Sequence, residues 1–179
     1  MSKIRELQGR SWVFGDLMDV DWEICAFDVY QQLKGQNIPI TEEAVGKYCM
    51  INVDPDFPNK VKKGDFIVAG ENFGYGHDHD HACIALKGAG VAAVLCESTN
   101  ANFMRNSIHH ALPVIVCRGI QKKVKEGDEL KIDLKAGTIV NLSTNEEMRF
   151  VPPPDFLLEI IGAGGLYPHL EKQIREGRV

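Results

Sequence analysis

The sequence predicts an α/β protein with a parallel sheet layer and a late antiparallel hairpin layer. Two patterns carry that prediction. Three apolar runs, at residues 66–69, 91–96 and 113–117, alternate with helix-compatible stretches and short connections, the pattern of right-handed parallel βαβ units. From Asp128 the period changes to two, because Leu130, Ile132 and Leu134 alternate with polar residues, as in a strand with one buried face. With 179 residues, 44% of them hydrophobic and 25% charged, the chain suits one domain with a sizeable core, residues 1–179.

Taken in order, Ser11-Trp12-Val13-Phe14-Gly15 reads as a short strand ending in a glycine turn, and an acidic stretch follows to Asp21. Trp22, Cys25, Ala26, Val29 and Leu33 recur at helical spacing with Gly35 at the C′ position, so one helix is expected over 22–33. Pro39 interrupts, and Thr41 is the expected N-cap of a second helix over 41–50. Asp54-Pro55-Asp56-Phe57-Pro58 is a rigid turn segment. Val61-Lys62-Lys63-Gly64-Asp65 turns the chain into the buried strand at 66–69, and Val124-Lys125-Glu126-Gly127-Asp128 reuses that turn chemistry before the later strand. Helices are expected at 80–88 and 99–110, between the apolar strands. Ala136-Gly137 makes a hairpin turn into 139–142, a third strand follows at 148–151, and prolines 152–154 stop the sheet. Two helical segments, 155–161 and 166–175, flank a glycine-rich joint at 162–165.

Composition excludes several roles. Net charge is −5 and basic residues pair only at Lys62-Lys63 and Lys122-Lys123, so there is no footprint for nucleic acid. The five cysteines (25, 49, 83, 96, 117) are scattered without a Cys-x-x-Cys, which argues against a disulfide scaffold or zinc knuckle and for buried apolar roles. The amino end lacks an apolar signal region, and no apolar run is long enough for a bilayer. A cytoplasmic protein is expected.

The chemistry concentrates between residues 69 and 86. A buried strand runs into a loop with Gly70, Gly74 and Gly76, then five consecutive His or Asp residues, then a helix. Glycines permit positive φ and close approach of a ligand, and the first turn of a helix suits an anion. His77 can serve as a general base, since imidazole titrates near neutrality. In an extended loop His77, His79 and His81 point to one side; in a helical turn His77 and His81 share a face. Either arrangement also admits a metal site built from these histidines with Asp78 and Asp80. Asp19 and Asp21 can reach the loop from the amino-terminal segment, and Tyr75 can project from between its glycines. Phe73 reads as core, His109 and His110 as surface or interface residues.

Over most of its length the chain resembles the small subunit of 3-isopropylmalate dehydratase, the swivelling domain of the aconitase family. The resemblance rests on Gly9-Arg10-Ser11-Trp12-Val13-Phe14-Gly15-Asp16 with the Asp19-Val20-Asp21 segment, on Asp54-Pro55-Asp56-Phe57 and the approach from Val61 to Gly74, on residues 103–113, and on residues 161–170. It implies a swivelling β/β/α domain that docks on an iron–sulfur large subunit. There a 4Fe-4S cluster binds the substrate hydroxyl and a carboxylate as a Lewis acid, and the small subunit supplies the base and an Arg carboxylate clamp. No cofactor is expected on this chain itself. The family loop reads Gly-x-Gly-Ser-Ser-Arg-Glu-His-Ala. Here Gly74-Tyr75-Gly76-His77-Asp78-His79-Asp80-His81-Ala82 puts His77 at the base and His79 at the clamp. Val20 stands at the Thr of the family's Asp-Thr-Asp and Cys25 at the proline that follows it; residues 22–33 occupy the segment that helps set substrate choice.

The resemblance implies a hydro-lyase subunit that, with its large subunit, dehydrates or isomerises a 2-hydroxy dicarboxylic acid resembling 3-isopropylmalate or a dimethylmalate. The expected roles are His77 and His79 in catalysis, and Gly74, Tyr75, Gly76, Asp78, His81 and Asp21 in substrate binding, with backbone amides near Gly74 and Gly76 as anion donors and no metal on the chain. Asp78 and Asp80, flanking His79, are expected to favour its imidazolium form. The expected partners are the iron–sulfur large subunit and a small hydroxy acid, with neither nucleic acid nor membrane, and with self-association open to the isolated subunit. The reading from another class is a paralogue that kept the fold and acts as a metal- or ligand-binding or regulatory module.

Overall fold

A computed structural model describes residues 6–178; the amino-terminal residues 1–5, on which the reading of an absent signal region rests, lie outside the described residues. Seven strands form one sheet in the order β4-β3-β2-β1-β5-β6-β7. Its axis is β1 (Glu6–Val13), which serves both halves: Ser11, Trp12 and Val13 pair in parallel with β2 (Phe66–Ala69), while residues 6–10 pair antiparallel with β5 (Glu129–Asp133). The expected parallel and antiparallel parts are thus joined through one strand. The sequence shows only the apolar end of β1, because its other half, Glu6-Leu7-Gln8-Gly9-Arg10, is mostly polar. Gly9 is required there, since a Cβ would lie 2.1 Å from the Gly64 carbonyl oxygen.

On the parallel side β3 (Ala93–Cys96) and β4 (Val114–Val116) continue from β2. These strands are covered on both faces: Ile67, Ala69, Val94 and Cys96 join one core, Phe66, Val68, Ala93 and Leu95 the other. Burial on both sides explains their unbroken apolar runs. On the other side β6 (Thr138–Asn141) and β7 (Glu146–Arg149) complete two hairpins, and only alternate residues such as Leu130, Ile132, Ile139 and Met148 enter the second core. β7 begins two residues earlier than the sequence pattern indicates. Asn145 takes φ 60°, and Asn141 Oδ1 accepts from the amides of Ser143 and Thr144, so the chain re-enters the ladder at Glu146 and leaves Val151 exposed.

The helical expectation for 22–33 is corrected. The segment is a π-helical turn, Val20–Ile24, then an extended break at Cys25, then α1 (Phe27–Gly35). Trp22 is exposed, so the helical spacing that includes it does not mark a buried face. The carbonyls at the end of the π-turn find distant donors instead, Asn52 Nδ2 for Trp22 and the Met50 amide for Ile24. Left-handed backbone after α1 falls on Asn37, not Gly35. Thr41 caps as expected, Oγ1 accepting from the Ala44 amide at 3.2 Å, but α2 (Glu42–Gly46) is short and the chain turns through Met50 at φ 59°. The rigid turn at 54–58 leads into a single helical turn, α3 (Phe57–Lys60). Then come α4 (His81–Gly88), α5 (Ala101–His109), the unanticipated α6 (Ile120–Lys123), α7 (Asp155–Ala163) and α8 (Leu166–Arg175). Among the described residues no helix is long and apolar enough to cross a membrane.

What positions α4 is a backbone-to-backbone contact with α2. A Cβ on Gly46 would meet Gly88 at 2.3 Å, and one on Gly88 would meet the Glu42 carbonyl oxygen at 1.8 Å. Gly88→Ala is expected to destabilise the chain by about 2 kcal/mol or more, read as a lower urea midpoint. Gly35→Ala, with nothing within 4 Å of the added carbon, is expected to be neutral or to stabilise by up to about 1 kcal/mol.

Candidate active site

The loop between β2 and α4 is bound to the amino-terminal segment before it reaches its histidines. The Gly74 amide donates to Met18 O at 2.9 Å and the Val20 amide to Tyr75 O at 2.9 Å, so residues 18–20 run beside 73–75. Gly74 (φ 74°) and Gly76 (φ 107°) make this possible, since a Cβ would strike the Phe103 ring at the first and the Asp19 carboxylate at the second. Asp19 in turn accepts from the Asp21 amide at 2.6 Å and fixes the π-turn. Asp21 is thereby delivered to the next residues of the loop.

Past Gly76 the side chains alternate. His77 Nδ1 lies 2.7 Å from Asp21 Oδ2 and His79 Nδ1 2.8 Å from Asp21 Oδ1, while His81 Nε2 is 3.6 Å from Oδ1 and 2.9 Å from the Cys25 carbonyl oxygen. Asp78 and Asp80 project the other way, to α5. Asp78 meets Arg105 Nη2 at 2.8 Å and Asn106 Nδ2 at 3.0 Å, and Asp80 meets His110 Nε2 at 3.0 Å. The extended-loop expectation for 77, 79 and 81 therefore matches the geometry. The expected role of Asp78 and Asp80 as counter-charges to His79 does not: Asp21 holds that position and α5 holds the two loop aspartates. His110 is likewise half-buried and tied to the loop rather than a plain surface residue, and His109 packs edge-on against Tyr167.

A carboxylate can only accept, so Asp21 fixes the proton of His77 and of His79 on Nδ1 and leaves each Nε2 free. His77 is 79% exposed and ready to meet a ligand, whereas His81 is 1% exposed. Burial holds the His81 imidazole below its ordinary 6.5, against the opposing pull of the Cys25 carbonyl and Asp21. Phe27 stacks on His79 at 4.6 Å and 9°, and Tyr30 lies 5.3 Å from His81, so the start of α1 walls a cleft of about 290 Å³ that Asn106 closes from α5. Among the described residues, the N–H groups of 76–82 donate no hydrogen bond. The Gly74 amide does, to Met18 O, so the expectation of a free anion donor at Gly74 is corrected. Tyr75 is exposed, and Phe73 is fully buried.

Asp21, His79 and His81 bring metal-ligating atoms within 4.8 Å of one another. Ligation by His81 Nε2 would strip the buried Cys25 carbonyl of its donor, so hydrogen bonding explains this trio better than a metal does. The five thiols are free and buried, and burial pushes Cys25 and Cys96 up to about 12. Sequence reasoning gave no role to Arg105, Asn106, Phe27 or Tyr30. Their signal was present only as polar and aromatic residues on helices whose facing could not be read from spacing.

Comparison with known proteins shows the family. Residues 27–118 match the model of the aconitase C-terminal domain. The isopropylmalate/citramalate isomerase small subunit of Methanocaldococcus jannaschii is 43% identical over 96% of this chain and 98% of its own. A 3-isopropylmalate dehydratase small subunit of Methanopyrus kandleri is 40% identical over 93% and 94%, and that of Nautilia profundicola 41% over 96% and 98%. The crystal structure of a 3-isopropylmalate dehydratase from M. jannaschii superposes with a TM-score of 0.85 at 34% identity, covering 97% of this chain and 99% of that one. The chain belongs to the aconitase C-terminal domain family. Within it the chain falls among the 3-isopropylmalate dehydratase small subunits, and is thus a subunit of a hydro-lyase.

His81 gives the site a pH signature. Its proton affinity is lower folded than unfolded, so the unfolded chain binds the proton first, and stability is lost as pH falls below about 6.5. Thermal melts between about pH 7.5 and 5 should show this slope in the parent chain and a shallower one in His81→Asn.

Proposed function

We propose that this chain and an iron–sulfur large subunit together dehydrate or isomerise a 2-hydroxy dicarboxylic acid resembling 3-isopropylmalate or a dimethylmalate. The observation that carries the reading is the sharing of Asp21 by His77 and His79. Asp21 holds the Nδ1 proton of His77, so Nε2 keeps its lone pair and can take the proton from the carbon beside the carbinol. The exposure of His77 supports delivery of that base to a substrate held on the partner. The cluster, on the large subunit in this reading, would supply the Lewis acid for the substrate hydroxyl.

His79 stands at the carboxylate clamp. Carrying a second proton it donates through Nε2, with Asp21 as counter-ion, and the free N–H groups of 76–82 add donors for the same anion. A single imidazole N–H lacks the fork of a guanidinium. Selection at that carboxylate is accordingly looser than with Arg, and the substrate differs from isopropylmalate at that end. Phe27 and Tyr30, within the segment associated with substrate choice, give the cleft an aromatic wall for an alkyl substituent. The relatives' names support a place in branched-chain amino-acid biosynthesis, leucine in particular, and five free thiols support a reducing compartment, the cytoplasm.

Co-expression with the large subunit and assay on a panel of malate derivatives tests the reading; turnover of alkyl-substituted malates is expected, and a cluster-loaded assembly inert on all of them would refute it. His77→Ala should lower kcat by about 10² or more, and unimpaired turnover would remove His77 as the base. Asp21→Asn, which no longer presents two acceptor oxygens, should cost about 10² in kcat/KM while leaving the fold intact by circular dichroism.

A further inference from the structure

One of the two loop aspartates occupies a position shaped for a carboxylate ligand. Each oxygen of Asp78 has its own donor, Arg105 Nη2 at 2.8 Å for Oδ2 and Asn106 Nδ2 at 3.0 Å for Oδ1, the way a recognised carboxylate is held. The two donors are consecutive on α5, a helix capped by Asn100 and anchored by buried Phe103 and Ser107, and Asn102 Oδ1 steadies the guanidinium at 3.0 Å. The holder is therefore rigid. Its occupant is less so, since Asp78 sits amid the loop residues whose amides make no hydrogen bonds among the described residues. Asn106 and Asp78 both line the cleft of His79 and His81, and Arg105 is 65% exposed at its rim. Among the described residues Arg105 is also the one arginine or lysine ion-paired with residues 77–81, a permanent cation beside a cleft that Asp78 and Asp80 line.

We infer that Arg105 and Asn106 are the seat for one carboxylate of the dicarboxylic substrate, and that Asp78 fills this seat until the substrate displaces it. The inference rests on the function proposed above and names a substrate contact for it. The exchange preserves both hydrogen bonds on the seat, replacing one carboxylate with another while Asp78 swings into water. Asp78 is then an internal competitor, and the sign of its mutation distinguishes that role from a structural one: removing a competitor tightens binding, whereas removing a brace loosens it.

The test uses the enzyme assembled with its large subunit, and reads KM for the substrate alongside the inhibition constant of malonate as a simple dicarboxylate. Arg105→Ala and, as a second variant, Asn106→Ala should raise both by about tenfold or more. Asp78→Asn should lower both by about threefold. Changes below twofold in both alanine variants, or weaker binding in Asp78→Asn, would overturn the seat. A parent assembly that turns over no malate derivative yet binds malonate with these shifts retains the seat and loses the proposed function. Normal turnover with constants unmoved by either alanine variant does the reverse.

Discussion

Asp21 accepts from two imidazoles at once, one on each oxygen, and the geometry of the whole loop depends on that carboxylate being where it is. The chain brings it there through a short series of constraints. β1 lies beside β2 in parallel, so the segments leaving their carboxyl ends travel together; residues 18–20 then bond to 73–75, and glycines at 74 and 76 remove the Cβ atoms that would hold them apart. Once Asp21 is placed, extended backbone sends 77, 79 and 81 to it and sends 78 and 80 to α5. The loop is thus tied on both sides by side chains, while among the described residues the amides of 76–82 donate no hydrogen bond.

At the two loop positions where the resemblance implies a base and a carboxylate clamp, this chain carries His77 and His79. A serine base needs its surroundings to make an alkoxide, whereas a histidine base needs only its other nitrogen held; Asp21 holds Nδ1 of both His77 and His79. An arginine clamp brings a fixed charge and two donors. His79 brings neither alone, and the permanent charge near the cleft lies instead on α5, at Arg105. In the function proposed above, the imidazole on the loop and the guanidinium on the neighbouring helix would each take one carboxylate of the substrate.

Much of this was legible in the chain, for identifiable reasons. Strands buried on both faces gave unbroken apolar runs, the late hairpins gave a clean alternation, and the histidine run alternated as extended backbone requires. What escaped was whatever depends on another segment. The polar half of β1 forms a strand because β5 pairs with it, and the break at Cys25 pays off only in the carbonyl it offers His81. Spacing also could not tell which carboxylate would meet His79: the neighbours in sequence, Asp78 and Asp80, turn away, and one 58 residues distant in the chain takes the role.

Asp21 sets the protonation pattern of the loop, and long-range 1H–15N correlation of the histidine rings measures that directly. In their neutral state His77 and His79 should carry the proton on Nδ1 with Nε2 bare, and His81 should show the opposite pattern. Bare Nδ1 atoms on both His77 and His79 would contradict the account.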